Sequence, residues 1–105
     1  SKSNEKITII ADTINFDLDN DKYSGTKKGG VNITKGDITA IADKFEYDKK
    51  KGELTLTGAV VINDSKKGIK MTASDAVIYT EKNDMKANNV SIELKVEQFV
   101  IDHSK

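Results

Sequence analysis

Three segments of the chain, residues 11–16, 42–47 and 75–79, repeat one pattern. An aspartate is followed by an apolar residue two positions later and by an aromatic residue four positions later. The aspartates, Asp12, Asp43 and Asp75, are 31 and 32 positions apart, and each follows a run of alternating apolar residues. An aspartate at a bend can accept bonds from downstream amides, and the next two apolar positions return to one face of the following strand. The period predicts a stacked β architecture built from one strand-bend-strand unit.

The composition is that of β-strands. Ile, Val and Thr make up 28 of 105 residues, against four Leu and seven Ala, and β-branched side chains fit a pleated sheet better than a helix. Apolar residues alternate along residues 7–11 and 54–62, so one face of each strand is apolar and the other is mixed. We therefore expect a single all-β domain over residues 1–105, with ten or more short antiparallel strands and no helix.

Clusters of turn-forming residues separate these runs at the spacing of an all-β domain. The C-terminal stretch is ambiguous, because residues 90–96 alternate as in a strand whereas residues 92–100 also fit a helical stripe. We prefer the strand, with a break near Gln98, because half of the apolar residues there are β-branched. The predicted turns are residues 19–21, 27–30, 35–37, 49–52, 63–68 and 82–84.

Charge and residue usage exclude several classes of function. Seventeen basic residues, all lysine, balance seventeen acidic ones. The lack of arginine and of net charge argues against nucleic-acid binding. Without cysteine there is no disulfide, thiolate zinc site or cysteine nucleophile, and His103, close to the C-terminus, is a poor metal ligand or base. No stretch is long enough to span a bilayer and no signal peptide is visible. We expect a soluble protein with no cofactor.

Three groups of charged residues suggest chemistry, but each has a simpler interpretation. Residues 17–21 begin like a calcium loop, yet lysine stands where that loop needs its glycine and its bidentate glutamate. Lysine clusters at predicted turns could contact lipid phosphates, although solvated turns explain them more simply. Carboxylate pairs such as Glu46 with Asp48, or Glu53 with Asp64, lack the desolvating pocket that an acid–base pair needs. We therefore expect no catalytic residue and no metal site.

Around the second repeat, an Ala-Asp pair precedes a Tyr-Asp pair, and a turn then leads to leucine, glycine, valine and isoleucine. This arrangement resembles the OstA-like (LptA) family of periplasmic lipopolysaccharide-transport proteins. The other repeats match more loosely, with Phe16 for the tyrosine in the first, and with Thr80 for the second aspartate and Asn89 near the glycine position in the third. The matching residues of the second repeat are Ala42, Asp43, Tyr47, Asp48, Leu54, Gly58, Val60 and Ile62.

The resemblance implies a twisted β-jelly roll of two facing antiparallel sheets with an apolar interior that receives acyl chains. It implies a non-enzymatic periplasmic carrier or bridge that shields lipopolysaccharide, or a similar acylated glycolipid, on its way to the outer membrane and transfers it to other bridge components. Alternatives are the periplasmic domain of another component of the same bridge, and a structural β-repeat that binds no lipid. Ordinary core packing would explain the same pattern. The predicted inward-facing, lipid-binding set is Ile14, Phe16, Phe45, Tyr47, Val60, Ile62, Met71, Val77, Tyr79, Ile92 and Leu94.

The terminal strands are expected to associate edge to edge into a homo-oligomer. Soluble proteins protect exposed sheet edges with proline, bulges or inward charges, and this chain has no proline. The first candidate strand, residues 7–11, carries no charge, and the last, residues 90–96, keeps its charges on the outer face. Alternatively, the flanking residues 1–6 and 98–105 fold over these edges and keep the protein monomeric.

Overall fold

The computed structural model describes residues 6–96, and all of their regular structure is antiparallel β. The all-β prediction is confirmed, but the strands are fewer and longer than expected. No helix in residues 6–96 is long and apolar enough to span a bilayer. The eight strands of this part of the chain are β1 (Thr8–Ile10), β2 (Thr13–Asp17), β3 (Lys22–Lys35), β4 (Ile38–Asp48), β5 (Glu53–Asp64), β6 (Ile69–Tyr79), β7 (Asp84–Asn88) and β8 (Ser91–Leu94).

The eight strands form one hydrogen-bonded sheet in which β3, β4, β5 and β6 are central neighbours. At one edge β1 and β2 both pair with β3, and at the other edge β7 and β8 both pair with β6. Because two short edge strands pair with each outermost long strand, β3 or β6, the sheet has the same layout on both sides. The chain's first and last described strands are therefore both edge strands.

Five of the six predicted turn clusters lie at the hairpin turns that join successive strands between β2 and β7. The exception is residues 27–30, which lie inside β3 rather than between two strands. There Gly29 and Gly30 have φ of 86° and 108°, and the register with β4 shifts between Thr26 and Val31. The two glycines therefore form a bulge in a continuous strand instead of ending it.

A line of bends crosses the whole sheet and divides it into two halves. β3–β4, β4–β5 and β5–β6 all shift register along this line, and the breaks between β1 and β2 and between β7 and β8 continue it to the edges. Positive φ at Gly58 and Asn89 provides the local change of direction. We call the part containing β1 and β8 the β1 half, and the part containing β2 and β7 the β2 half.

The three repeats form this line of bends. Asp12 accepts a 2.9 Å hydrogen bond from the backbone amide of Lys28 in the β3 bulge. Asp43 lies so close to Gly58 that a Cβ there would be 2.3 Å from a carboxylate oxygen. In the third repeat, Ser74 donates to the carbonyl oxygen of Asn88. The bend position is thus occupied by a short polar side chain that contacts the next strand's bulge.

The structure corrects the alignment of the third repeat. Leu54 pairs with both Tyr47 and Ile78, so Ile78 is the equivalent of Tyr47 and the period is 31 throughout. The bend residue of the third repeat is therefore Ser74 and not Asp75. A shift of one residue moves every side chain of a strand to the other face.

This correction changes the placement of two predicted inward residues. Val77 pairs with Thr55, and Tyr79 pairs with Glu53. Their neighbour Ile78 packs against the core, and successive side chains of a strand point to opposite faces. Val77 and Tyr79 therefore lie on the outer face, and the expectation that Tyr79 shares a side with the other two repeat aromatics is wrong.

One hydrophobic core takes buried residues from both halves. Val31 and Val60 represent the β1 half, and Phe45 and Leu56 the β2 half, all at 1% exposure or less. Every buried apolar residue of the described chain belongs to the four central strands. The edge strands contribute only partly buried residues such as Ile9 and Ile14.

The C-terminal strand prediction is confirmed by β8, where Ile92 pairs with Met71. β8 is shorter than the predicted strand over residues 90–96, and Asn89, with a φ of 55°, separates it from β7. The predicted break at Gln98, the single His103 and most of the two flanking segments lie outside the described residues.

Candidate functional site

An apolar cavity of about 480 Å³ lies on the inner face near the β1 and β2 edge. Ile7 and Ile9 come from the β1 side of the bend line, whereas Phe45 and Leu54 come from the β2 half. Its volume is within the range of small-molecule sites. We call it the aromatic cavity, and its lining residues are Ile7, Ile9, Ile14, Phe16, Tyr23, Lys35, Phe45, Tyr47, Leu54, Thr80 and Glu81.

Three aromatic side chains form a row along the wall of the aromatic cavity. Phe16 pairs with Tyr23, and Tyr23 with Tyr47, across three adjacent strands. The Phe16 and Tyr23 rings meet edge to face at 5.4 Å between centroids, and the Tyr23 and Tyr47 rings are 6.1 Å apart. Phe16, on the edge strand, is 62% exposed. The row thus leads from the exposed Phe16 at the edge to the half-buried Tyr47.

A second cavity of about 510 Å³ adjoins the first and shares Ile7, Lys35 and Leu54 with it. Its lining joins the far ends of the two halves, with Lys66 and Lys67 from the β5–β6 turn and residues 83–85 from the start of β7. Because many of its lining residues carry charge, we call it the charged cavity. The two cavities together present an apolar interior followed by a charged rim.

One side-chain hydrogen bond spans the two halves at this rim. The Nζ of Lys35, the last residue of β3, donates to Oδ1 of Asn83 at 3.0 Å. Asn83 lies in the β6–β7 turn and has a φ of 53°, a conformation that asparagine tolerates better than most residues. The far ends of the β1 half and the β2 half therefore meet at this point.

The predicted lipid-binding residues are distributed over four environments. Ile14, Phe16, Phe45 and Tyr47 line the aromatic cavity. Val60 and Ile62 are buried in the core, and Met71 packs against it. Ile92 and Leu94 lie on the edge strand β8 and are 55% and 64% exposed. Val77 and Tyr79 are on the outer face, as described above. The cavity therefore gathers only the members from β2 and β4.

The predicted set omitted several cavity residues. Ile7 and Ile9 belong to the alternating first strand, and their pattern already placed them on its apolar face. Tyr23 could have been found from hairpin pairing, because a turn at residues 18–21 brings it opposite Phe16. Lys35 gives no such signal, since a lysine beside a turn is normally solvated. Its position at the cavity depends on how the two halves meet.

The acidic turn at residues 17–21 is held together by hydrogen bonds within the turn. The Asp17 carboxylate accepts a 2.9 Å bond from the Asn20 side-chain amide and a 3.2 Å bond from the Asn20 backbone amide. The side-chain bond is the main cause that lowers the pKa of Asp17, and the backbone bond adds to it. In residues 6–96 no group of three His, Cys, Asp or Glu residues is arranged to hold a metal ion.

The carboxylates considered as acid–base pairs are also used in turns. Asp48 accepts from the backbone amide of Lys51, and Asp64 accepts from the amides of Lys66 and Lys67. These bonds are the usual way in which aspartate stabilises a turn. The arrangement accounts for both residues without assigning them any catalytic role.

Comparison with known proteins finds no matching family model and no matching curated protein. The resemblance therefore depends on the residues of the second repeat. In the structure these residues serve the bend and the core: Asp43 contacts Gly58, and Leu54 and Val60 are buried. Only Tyr47 and Leu54 of the matching residues line the aromatic cavity.

Proposed function

We propose that the protein is a non-enzymatic carrier of an acylated lipid, as the resemblance to the OstA-like family implies. The two halves act as the facing layers of a twisted jelly roll, bent at the line of bulges, and acyl chains lie between them. The observation that carries the proposal is the aromatic cavity, because an apolar space lined from both halves opens at a sheet edge. The hydrogen bond between Lys35 and Asn83 supports the facing arrangement.

The energetics favour an acyl ligand. Each methylene moved from water into an apolar site contributes about 0.8 kcal/mol. Ile7, Ile9 and Ile14 line the aromatic cavity without being fully buried, so apolar surface remains for a ligand to cover. Binding of this kind is tight, and release therefore requires transfer to a second apolar site rather than simple dissociation.

The proposed cargo is lipopolysaccharide or a similar acylated glycolipid, and the proposed compartment is the periplasm. Both follow from the resemblance. The partners would be other components of the same transport bridge, and the chain could equally be the periplasmic domain of one of those components. In either role no covalent step occurs, because the cargo is shielded and passed on unchanged.

A structural β-repeat that binds no lipid is the second candidate. It is favoured by the core at the line of bends, where Val31, Leu56 and Val60 are at most 1% exposed. In a structural repeat, such packing would continue between the two halves and leave no room for a ligand. The two candidates make opposite predictions for the aromatic cavity, which is occupied by ligand in a carrier and irrelevant in a packed repeat.

Photo-crosslinking separates these candidates. A photoreactive amino acid replaces Phe16 or Ile14 in the aromatic cavity, and Val77 or Tyr79 on the outer face serves as the matched control. With purified lipopolysaccharide present, a carrier forms lipid adducts at the cavity positions and few at the control positions. Equal labelling at both faces, or labelling at the outer face alone, would overturn the carrier proposal. Circular dichroism of each variant checks that it is folded.

We also propose that edge strands of different copies pair to form a head-to-tail homo-oligomer. β1 and β8 lie on opposite edges of the β1 half, and a contact between unlike edges can repeat without closing. On β8, Ile92 and Leu94 are more than half exposed, so association would cover apolar surface. Aligned copies would place their apolar interiors in one continuous path.

The assembly is tested by charging the edge. The double variant Ile92→Lys and Leu94→Lys adds two like charges at exposed positions, so it should reduce concentration-dependent association in sedimentation while leaving the fold intact. Thr72→Lys, exposed on the outer face of the central strand β6, is the control. A wild-type protein that remains monomeric at millimolar concentration would contradict the assembly.

A further inference from the structure

We propose that Lys35 binds the anionic head group of an amphiphile whose acyl chain occupies the aromatic cavity. This inference rests on the proposed carrier function and specifies the ligand class, an amphiphile with a carboxylate or phosphate next to its chain. It also assigns the polarity of binding, with the chain toward Phe45 and the head toward the charged rim.

The position of Lys35 carries the inference. It is half-buried and lines both cavities, so its ammonium group lies where the apolar lining gives way to the charged rim. Among residues 6–96 it is the single basic residue that lines the aromatic cavity. A lysine in this setting packs its methylene stem against apolar groups and keeps its charge at the polar boundary. Such a boundary matches the junction between an acyl chain and its head group.

The Lys35 ammonium group bonds to a neutral partner. Among the described residues its hydrogen bond goes to the amide oxygen of Asn83, and an anionic oxygen is a stronger acceptor for the same donor. Two of the carboxylates that line the charged cavity have other bonds, because Asp64 accepts from two turn amides and Asp84 from the amide of Met85. A ligand anion can therefore replace Asn83 without breaking an ion pair at Asp64 or Asp84.

Glu81 is the opposing charge at the aromatic cavity. Its side chain is exposed, whereas Lys35 is half-buried, so water screens Glu81 more strongly than Lys35. The less screened Lys35 charge therefore attracts an anion to the boundary, and Glu81 weakens that attraction. Removal of the Glu81 charge should therefore strengthen the binding of an anionic ligand, whereas removal of the Lys35 charge should weaken it.

The apolar lining favours an amphiphile over a free anion. Ile7 and Leu54 line both cavities together with Lys35, and the chain supplies the hydrophobic free energy that a small ion lacks. Inorganic phosphate presents anionic oxygens without a chain. When the ionic strength is held constant, it should not compete with the amphiphile.

The experiment compares lauric acid with lauryl alcohol, which have equal chains and different heads, by isothermal titration at neutral pH. The wild-type protein should bind the acid about tenfold more tightly than the alcohol, since hydrogen bonds to charged groups exceed neutral ones. Lys35→Met keeps an apolar stem and should abolish this difference by weakening the acid alone. Lys86→Met, on the outer face of the edge strand β7 and outside both cavities, should change neither affinity.

Two further variants test whether the charge of Lys35 binds the head group, or whether Lys35→Met acts in another way. Asn83→Gly removes the bond to Lys35 but fits the positive φ, and acid binding should be retained or strengthened. Glu81→Gln should strengthen acid binding and leave alcohol binding unchanged. The inference would be overturned if Asn83→Gly weakened binding of the acid as much as Lys35→Met does. That result would show that the bond between the halves, and not the charge of Lys35, is what binding requires.

The remaining outcomes distinguish failure of the head-group site from failure of the carrier function. If the wild type binds acid and alcohol equally, the head-group anchor is wrong while the carrier function stands. If inorganic phosphate displaces the acid, the site recognises a free anion and the amphiphile assignment is wrong. If neither lauric acid nor lauryl alcohol binds, and cavity crosslinkers capture no lipopolysaccharide, both the anchor and the carrier function fail.

Discussion

The four central strands and the four edge strands carry the same alternating apolar pattern but bury it to very different degrees. Leu56, on β5, is fully buried, and strands pair on both of its sides. Leu94, on β8, has a strand on one side only and is 64% exposed. Alternation determines which face a side chain occupies, whereas the number of neighbouring strands determines how much of it is covered.

This difference relates stability to the proposed function. The central strands contain the buried core, so they hold the domain together without a ligand. The edge strands leave apolar side chains such as Phe16 and Ile92 in contact with water, which is costly unless something covers them. Lipid and a neighbouring copy are the occupants we propose. Substitutions in the centre should therefore change stability, and those at the edges should change binding or association.

The largest difference between centre and edge is expected when leucine is replaced by alanine once in each region. Leu56→Ala creates a cavity in the core and should lower the free energy of unfolding by about 2–5 kcal/mol. Leu94→Ala removes the same atoms from an exposed edge and should cost less than about 0.5 kcal/mol. Urea denaturation followed by far-UV circular dichroism measures both. Similar losses at the two positions would contradict the division into centre and edge.

The sequence predicted the all-β antiparallel class and most of the turns because both depend on local chemistry. Alternation placed Leu54 and Val60 on the apolar face, and both are buried. The bulge at Gly29 was mistaken for a turn, because glycine supplies positive φ to both structures. Only pairing with β4 distinguishes them, and pairing is not a local property.

The candidate site was predicted less well, for two physical reasons. Tyr79 was matched to Tyr47 by residue type, although the apolar spacing of Ala73, Ala76 and Ile78 repeats that of the second copy at a constant 31. An error of one position reverses the face of a strand. Lys35 was missed because its place at the cavities depends on long-range contact with Asn83.

A smaller effect is expected at the line of bends, where centre and edge carry equivalent positions. Gly58 has a φ of 88°, and a Cβ there would be 2.3 Å from the Asp43 carboxylate. Gly58→Ala should therefore cost about 1–3 kcal/mol in strain, plus the displacement of Asp43.

At the edge, Asn89 has a φ of 55° and donates to Ser74 Oγ. Asn89→Gly loses that bond but relieves φ, so the net change should be under about 1 kcal/mol.

A double-mutant cycle assigns the cause at Gly58. Adding Asp43→Ala to Gly58→Ala removes the carboxylate that the new Cβ displaces, so part of the loss should be recovered. Thermal unfolding of the two single variants and the double variant provides the coupling. Strictly additive losses would mean that the close approach of Asp43 is not what requires glycine at this position.

The smallest effect is expected at the exposed β2–β3 turn. The side-chain bond from Asn20, followed by its backbone bond, lowers the pKa of Asp17. A group whose pKa is lowered on folding stabilises the fold above its unfolded value, about 3.9 for aspartate, and loses this contribution as the pH falls through the folded pKa. Asn20→Ala removes the larger cause, so the pKa of Asp17 should rise toward its ordinary value, and the acid limb of the stability curve should become slightly less steep.

Carbon-13 titration of the Asp17 carboxyl measures the shift. Asn15→Ala, on the strand that contains Asp17, is the control. If the Asn20→Ala and Asn15→Ala titrations coincide, the turn bond does not form in solution. The edge would then be less ordered than the centre even in its turns.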